Sequence, residues 1–176
     1  GGQLQRWRTG VFNGNQPESP TAFLPNNNEA ALLPLVAKMS DDLLEFCEKP
    51  KEVQILDENG NLLLAGDNDR RFFEAAWVHK YNGKYYFSYS TGDTHFICYA
   101  IGDNPYGPFN YRGKILNPVV GWTSHHSICE FKGKWYLFYH DSSLSKGVTH
   151  LRSVKIAEIK YDKDGNIKTL EPYGKN

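Results

Sequence analysis

One carboxylate in this sequence stands in an aromatic and apolar stretch. Glu74 follows two phenylalanines and precedes Trp77 by three positions. Neighbours of this kind withdraw a carboxyl group from water and favour the protonated form, which a proton donor needs near neutral pH. The spacing fits equally well a strand-edge glutamate that pairs with Arg70 or Arg71. A general acid and a structural ion pair therefore both stay open at this point.

Two adjacent histidines form the next candidate group. His125 and His126 follow Ser124, which stands fifty positions after Glu74. Neighbouring residues of a strand face opposite sides, so only one of the two rings can face a channel that the strand lines. Such an imidazole could bind a metal ion or an ordered water. A structural histidine is the alternative.

Several polar and aromatic side chains could contact a ligand. Arg152 interrupts an apolar strand pattern, which indicates either pairing with a carboxylate or contact with a ligand. Gln3 and Gln5 alternate on one face of the opening segment and could offer amide hydrogen bonds. Trp7 and Trp122 could each stack on the face of a sugar, although packing in a core is the commoner role of tryptophan.

A repeat of fifty residues indicates which elements position these side chains. Residues 78–89 return as residues 128–139, with glycine, lysine and tyrosine at matching places. Each copy predicts a strand, a tight turn at Asn82-Gly83 or Lys132-Gly133, and a second strand of aromatic and β-branched residues. Four strands over roughly 50 residues are typical of a β-propeller blade. Two similar hairpins in a β-sandwich are the alternative.

The repeat predicts an all-β chain of about three blades. The blades would comprise most of one in residues 1–66, a complete one in residues 67–120 and another in residues 121–170. Pro34 favours a strand over a short helix nearby, and His140 and Asp141 are expected to end a strand and to belong to the turn that follows. Three blades do not close a ring, and exposed sheet edges invite pairing. We therefore expect a further part to complete the molecule.

The composition excludes several function classes. Twenty basic residues balance twenty acidic ones, so no overall field attracts nucleic acid or an anionic membrane. No run of eighteen apolar residues predicts a membrane span. The aromatic fraction of 14% suits a β-rich protein that binds flat amphipathic ligands such as sugars, and it suits an aromatic β core equally well.

The three cysteines bear on the cellular location of the protein, and the first residues bear on whether the chain is a piece of a longer one. Cys47, Cys98 and Cys129 form no CxxC pair and are expected to be buried free thiols, with a disulfide or a zinc site as the alternative. Free thiols favour a cytoplasmic location. The start resembles no signal peptide and lacks methionine, so we expect a fragment or a processed piece.

Four stretches taken together resemble glycoside hydrolase family 43, the five-bladed β-propellers that include β-xylosidases and α-L-arabinofuranosidases. The resemblance runs in consistent order over nearly the whole chain, and the turn at residues 103–109 is also typical of the family. The four stretches are Gly-Gly-Gln-Leu-Gln at residues 1–5, Phe-Glu-Ala-Ala-Trp-Val with Asn-Gly-Lys-Tyr-Tyr between residues 73 and 86, Ser-His-His-Ser-Ile with Gly-Lys-Trp-Tyr-Leu-Phe-Tyr-His between residues 124 and 140, and Arg-Ser-Val at residues 152–154.

The resemblance implies roles for particular side chains. Glu74 would be the general acid. His125 would lie on the propeller axis near a water or a calcium ion, with His126 as the fallback. Arg152 would reach the sugar-binding pocket. The chemistry itself would require no cofactor, and calcium is the metal that the resemblance implies.

The implied substrate is a xylo- or arabino-oligosaccharide, from which xylose or arabinofuranose is released at the non-reducing end. Arg152 would hold the sugar hydroxyls together with Gln3, Gln5 and Trp7. A homo-oligomer is compatible with this interpretation. The rival hypothesis is a non-catalytic propeller that binds glycan or protein, in which Glu74 pairs with one of the arginines that precede it.

The resemblance also implies an incomplete site. The family inverts configuration with two carboxyl groups about 6.5–9.5 Å apart, one to protonate the leaving group and one to activate water. The aspartates that serve as base and as its modulator would both precede Gly1, and no aspartate of this chain matches either of them. The N-terminal part of the same propeller is therefore the implied partner.

Overall fold

The computed structural model describes residues 25–122 and 125–174, and within these ranges the chain is all-β. Ten strands and no helix occur in the described part, so no helix there could cross a membrane. Gln3, Gln5 and Trp7 lie outside the described residues. The strands are β1 (Leu35–Val36), β2 (Lys51–Glu52), β3 (Ile55–Leu56), β4 (Glu74–Tyr81), β5 (Lys84–Ser90), β6 (Ile97–Gly102), β7 (Phe109–Leu116), β8 (His126–Phe131), β9 (Lys134–Asp141) and β10 (Ser153–Ile159).

Two sheets, one of five strands and one of three, form most of the structure. The larger sheet has the order β3-β7-β6-β5-β4, in which β4 to β7 follow one another as a meander and β3 pairs in parallel with β7. The smaller sheet has the order β10-β9-β8, and β1 pairs with β2 separately. The expected blade ranges of residues 67–120 and 121–170 contain β4–β7 and β8–β10, respectively. The division into blades and the number of five blades stay predictions.

The fifty-residue repeat is present as two matching hairpins, β4–β5 and β8–β9. Their turns have positive φ at both central residues, 46° and 78° at Asn82-Gly83 and 50° and 76° at Lys132-Gly133. Two-residue hairpin loops favour this conformation because its twist matches that of the strands, and asparagine and glycine tolerate it. The predicted hairpins are therefore confirmed.

The core forms between the two sheets. One cluster joins buried residues of the larger sheet, such as Ile97 and Ile115, to buried residues of the smaller one, such as Leu137 and Ile159. A second cluster covers the other face of the larger sheet. The Trp77 indole donates a hydrogen bond to the Ile128 carbonyl at 3.1 Å and so ties β4 to β8.

The smaller sheet keeps one face exposed. Along β10, Ala157 and Ile159 pack into the core, whereas Val154 and Ile156 are 75% and 60% exposed. Phe131, at the end of β8, is 60% exposed as well. A side chain of this kind gains about 1.5–3 kcal/mol when it is fully buried. The exposed face is therefore a surface with a driving force for association.

The cysteines are free, as expected, but only one of them is buried. Cys98 lies in the larger sheet with no exposed surface, whereas Cys47 and Cys129 are exposed. The prediction of three buried thiols was wrong because apolar neighbours in sequence do not determine whether a side chain faces the core. In β8, residues on both sides of Cys129 alternate between faces, and Cys129 is on the outer one. The cytoplasmic location stays a prediction.

Two histidines are held neutral inside the fold. His79 stacks on Tyr86, its Nε2 lies 2.7 Å from the Tyr161 hydroxyl, and burial lowers its pKa from 6.5 to about 4. The His126 Nε2 lies 2.6 Å from the Ser88 hydroxyl. Burial, assisted by the nearby His125 and His79 rings, lowers the pKa of His126 from 6.5 to about 3.

Because both histidines are neutral in the folded state, we expect the fold to lose stability in mild acid. The unfolded chain binds more protons than the folded one between about pH 4 and 6.5, so stability is fully present above pH 6.5 and falls as the pH drops. Each histidine contributes a slope of up to about 1.4 kcal/mol per pH unit. In the complete protein, denaturant unfolding between pH 4.5 and 7.5 should give a shallower slope for His126→Gln than for the unaltered protein. The exposed His150→Gln is the control, and an unchanged slope in His126→Gln would contradict the assignment.

Candidate active site

Glu74 is the first residue of β4 and is positioned by a β-bulge. The register passes from Glu74 opposite Ser90 to Trp77 opposite Ser88, so Ala75 and Ala76 together face Tyr89. Ala75 has a φ of 60°, a left-handed conformation that costs a non-glycine residue about 1–2 kcal/mol. Bulges of this kind redirect a side chain at the end of a strand. The bulge therefore determines where the Glu74 carboxylate points.

The Glu74 carboxylate lies against an imidazole. Its side chain is 13% exposed, and its Oε1 lies 3.5 Å from Nε2 of His125, whose side chain is 53% exposed. The preceding residue, Phe73, is buried. The site thus combines a largely covered carboxyl group with an imidazole that is open to a ligand.

The two arginines before Glu74 have other partners. The Arg70 guanidinium contacts Asp67 at 3.0 Å and Glu58 at 3.2 Å. Arg71 donates to the Ala65 carbonyl at 2.9 Å and to the Asn68 side chain at 3.1 Å. Among the described residues neither arginine pairs with Glu74, so the ion pair required by the rival hypothesis is not formed.

Arg152 and His140 extend the group that begins with Glu74. The His125 backbone N–H donates to Nε2 of His140 at 3.2 Å, and the two rings lie roughly parallel at 6.3 Å. An Arg152 N–H lies 3.5 Å from the same nitrogen, while the Arg152 Nε donates to the Thr149 carbonyl at 2.9 Å. Burial, and then the charges of Arg152 and His125, lower the pKa of His140. His140 is therefore a neutral acceptor that links His125 to Arg152.

The strand topology explains why these four residues meet. Strand β4 begins at Glu74, β8 begins just after His125, β9 ends next to His140, and β10 begins just after Arg152. In antiparallel hairpins, the start of one strand and the end of the next lie at the same edge. Arg152 was expected inside a strand, and this was wrong, because the residues before Ser153 form the loop that returns from β9.

His140 is the residue of this group that the sequence did not single out. A turn is the expectation for His140 and for Asp141, and this is wrong, because both residues belong to β9. The repeat contained the signal, since His140 stands fifty positions after Ser90, and Ser90 faces Glu74 across the first hairpin. The corresponding position in the second hairpin therefore lies at the same edge of its sheet.

Asp141 anchors the strand ends that present His140 and Arg152. Its buried carboxylate accepts hydrogen bonds from the Ser153 hydroxyl at 2.9 Å and the Tyr173 hydroxyl at 3.0 Å, and it lies 3.7 Å from the Lys155 ammonium. Burial alone would raise the pKa of Asp141, but these hydroxyls and Ser143 together lower it. Asp141 thus fixes the end of β9 against the start of β10.

The predicted metal role of His125 finds no further ligands in the described part of the chain. The two described ranges contain no group of three or more His, Cys, Asp or Glu side chains that could hold a metal ion. Calcium takes six to eight oxygen ligands, so one imidazole beside one carboxylate does not make a calcium site. The fallback, His126, is turned to Ser88. The calcium ion stays a prediction, and no chemical step below depends on it.

The arrangement suits proton transfer to a neutral, hydroxyl-rich ligand. Glu74 supplies a largely covered carboxyl group, and His125 and His140 supply imidazoles. Arg152 supplies a planar guanidinium whose N–H groups bind oxygen atoms. A carboxyl group can donate a proton to an oxygen that becomes a leaving group.

Comparison with known proteins places the chain in a family. Residues 22–167 match the model for glycosyl hydrolases family 43. A xylosidase/arabinosidase of Bacteroides ovatus is 61% identical over 171 residues, which are 97% of this chain and 51% of that protein. The xylosidase/arabinosidase 43A of Humicola insolens is 59% identical over 177 residues, which cover 98% of this chain and 53% of that protein.

Solved structures agree with the family match. CoXyl43, a β-xylosidase/α-arabinofuranosidase from a compost metagenome in complex with xylotriose and in a calcium-free form, has a TM-score of 0.90 at 61% identity, covering 98% of this chain and 52% of that one. The GH43_1 enzyme of Xanthomonas citri complexed with xylose has a TM-score of 0.89 at 52% identity, covering 98% and 50%. The chain spans about half the length of the curated relatives it matches. The chain belongs to glycosyl hydrolases family 43.

Proposed function

We propose that the complete protein is an inverting glycosidase that releases xylose or arabinofuranose from the non-reducing ends of xylo- and arabino-oligosaccharides. Glu74 is its general acid and protonates the oxygen of the leaving sugar. The observation that carries this proposal is the contact of the largely covered Glu74 carboxylate with His125, in one group with His140 and Arg152. Family membership supplies the reaction class.

Each member of the group has a distinct task in this proposal. Glu74 gives up its proton as the glycosidic bond breaks. Arg152 donates hydrogen bonds to sugar hydroxyls, and a planar guanidinium can hold two oxygens at once. His140 accepts from Arg152 and keeps the guanidinium in place. His125 lies beside the Glu74 carboxylate, where it can hold a water or a sugar hydroxyl.

The second carboxylate of an inverting pair belongs to the part of the protein outside this chain. An inverting pair stands about 6.5–9.5 Å apart with a water between the base and the anomeric carbon. Support comes from the relatives, which are about twice as long as this chain. The exposed face of the smaller sheet, with Val154, Ile156 and Phe131, gives that missing part an apolar surface to pack on. Together they would form the five-bladed propeller.

The names of the relatives support the substrate class. Three of the curated relatives are named as xylosidase/arabinosidase or β-xylosidase. Xylotriose and xylose occupy solved structures of similar enzymes. A pentose at the end of a short chain therefore fits the proposed pocket best.

The stereochemistry of the first product tests this function. Proton NMR of the complete protein acting on methyl β-D-xyloside, whose leaving group is methanol, should show α-xylose first, with β-xylose appearing only as mutarotation proceeds, because inversion of a β-linkage gives the α-anomer. The Glu74→Gln variant at equal concentration is the control for contaminating enzymes. Early β-xylose would exclude inversion. Binding of xylobiose without release of xylose would favour the non-catalytic propeller.

A further inference from the structure

Three loops lie at the same edge of the sheets as Glu74. They are residues 91–96 between β5 and β6, the described residues 117–122 of the connection between β7 and β8, and residues 142–152 between β9 and β10. Each joins strand ends at the edge where β4 begins. The proposed acid therefore lies at the base of a rim made by these loops.

Trp122 is a large exposed aromatic residue on this rim. It is 46% exposed, although a tryptophan usually gains from burial. The His95 ring meets it edge-on, with ring centres 4.9 Å apart and planes at 82°. This T-shaped contact is a favoured arrangement of aromatic rings, and Trp122 stays nearly half exposed beside it.

The loop that carries His95 is rigidly attached beside Glu74. The loop closes through hydrogen bonds from Thr91 to the Phe96 carbonyl at 3.0 Å and from His95 to the Gly92 carbonyl at 2.8 Å. Gly92 lies so close to Phe73 that a Cβ on it would stand 2.5 Å from the ring. Phe73 immediately precedes Glu74. The loop that carries His95, whose ring contacts Trp122, therefore packs against the residue next to the proposed acid.

Trp122 is also close to Glu74 along the other connection. It stands three residues before His125, whose Nε2 lies 3.5 Å from the Glu74 carboxylate. Three residues span at most about 11 Å when fully extended. The Cα of Trp122 therefore lies within about 11 Å of the Cα of His125, the residue that contacts the proposed acid.

We propose that Trp122 is the platform on which the leaving-group sugar stacks, and that His95 is the residue that positions it. This inference rests on the proposed function and adds the subsite that recognises the sugar after the scissile bond. The general acid protonates the oxygen of that sugar, so the sugar lies on the Glu74 side of the bond. The C–H face of a pyranose is apolar and suits the exposed face of an indole. The platform makes the enzyme select oligosaccharides over small glycosides.

Removal of the indole tests the proposal through a difference between two substrates. In the complete protein, Trp122→Ala should lower kcat/KM for xylobiose about 10-fold, since stacking contributes at the level of one factor of ten. The value for methyl β-D-xyloside, which has no leaving sugar, should change less than about 2-fold. Equal losses on both substrates, or no loss on either, would overturn the proposal.

Two further variants separate positioning from simple stability. His95→Asn keeps a residue that tolerates the positive φ of 60° but removes the ring, and it should give part of the loss on xylobiose alone. His95→Phe restores an aromatic edge and should recover that part. Tyr106→Ala is the matched control, because Tyr106 is an exposed tyrosine of the β6–β7 turn on the opposite edge. It should leave the ratio of kcat/KM for xylobiose to kcat/KM for methyl β-D-xyloside unchanged. A loss in His95→Asn that includes methyl β-D-xyloside would contradict the positioning role.

Binding distinguishes a failure of this proposal from a failure of the proposed function. Calorimetry with the Glu74→Gln variant should show that Trp122→Ala weakens xylotriose about 10-fold and leaves xylose unchanged. If the unaltered protein hydrolyses neither substrate, the glycosidase assignment fails. The titration still tests whether Trp122 contributes to xylotriose affinity. Unchanged affinity for xylotriose would overturn the platform even in an active enzyme.

Discussion

Glu74→Gln in the complete protein is expected to lower kcat/KM for xylobiose by about 10²–10⁴-fold, the usual contribution of a general acid. Glutamine keeps the size of the side chain and can still lie beside His125, but it has no proton to give to the departing oxygen. A sugar alkoxide is a poor leaving group, so bond cleavage slows when Glu74 no longer protonates the departing oxygen. Initial rates of xylose release measure the loss.

The same variant should retain much of its activity on an aryl xyloside with a very acidic phenol. Such a leaving group departs as a stable anion and needs no protonation. Glu58→Gln is the matched control, since Glu58 is an exposed glutamate that pairs with Arg70 near the same edge. Loss of equal size on both substrates would count against proton donation by Glu74 and would favour a role in folding or binding.

Asp141→Ala is expected to give the largest loss of stability. The substitution leaves the hydroxyls of Ser153 and Tyr173 without their acceptor and the Lys155 ammonium without its nearest carboxylate. Removing one partner from a buried, hydrogen-bonded group of this kind costs about 3 kcal/mol. Thermal unfolding of the complete protein should show a decrease of several degrees in Tm, together with lower activity because His140 and Arg152 lose their anchor.

A surface aspartate and a pH series complete this test. Asp103→Ala removes an exposed partner of Lys84 and should leave Tm nearly unchanged. Because the pKa of Asp141 is lowered in the fold, its contribution is present above the ordinary pKa of 3.8 and is lost as the pH falls through the folded value. A Tm equal to that of Asp103→Ala would show that Asp141 does not anchor the strand ends.

The hairpins could be predicted because their determinants are local. Asn82-Gly83 is a pair that favours two successive positive φ values, Gly133 favours one of the two in the second turn, and aromatic strands flank each pair. The alternation of strand residues predicted different surroundings for His125 and His126, and the metal role of His125 stays a prediction. The structure turns His125 to Glu74 and His126 to Ser88.

The bulge at Ala75 could not be predicted in the same way. Alanine has no preference for a φ of 60°, so no residue type marks the irregularity that directs Glu74. The surrounding sheet imposes it, through the pairing of Glu74 with Ser90 and of Trp77 with Ser88. The exact direction of the proposed acid is thus a tertiary property.

Contacts between loops were equally invisible in the sequence. His140 and Arg152 meet because Asp141 joins the end of β9 to the start of β10, which no spacing rule encodes. His95 carried no signal of its own, and its contact with Trp122 joins two loops that are separated by two strands. The exposed thiols of Cys47 and Cys129 were misjudged for the related reason that sequence neighbours do not define burial.

In the proposed enzyme, Glu74 faces the glycosidic oxygen of a bound oligosaccharide. A crystal structure of the complete Glu74→Gln protein with xylobiose measures this directly. The side chain of residue 74 should lie about 2.6–3.2 Å from the oxygen that joins the two sugars, and Arg152 should hold the terminal xylose. A distance beyond about 5 Å, or a disaccharide bound away from this edge of the sheets, would contradict it.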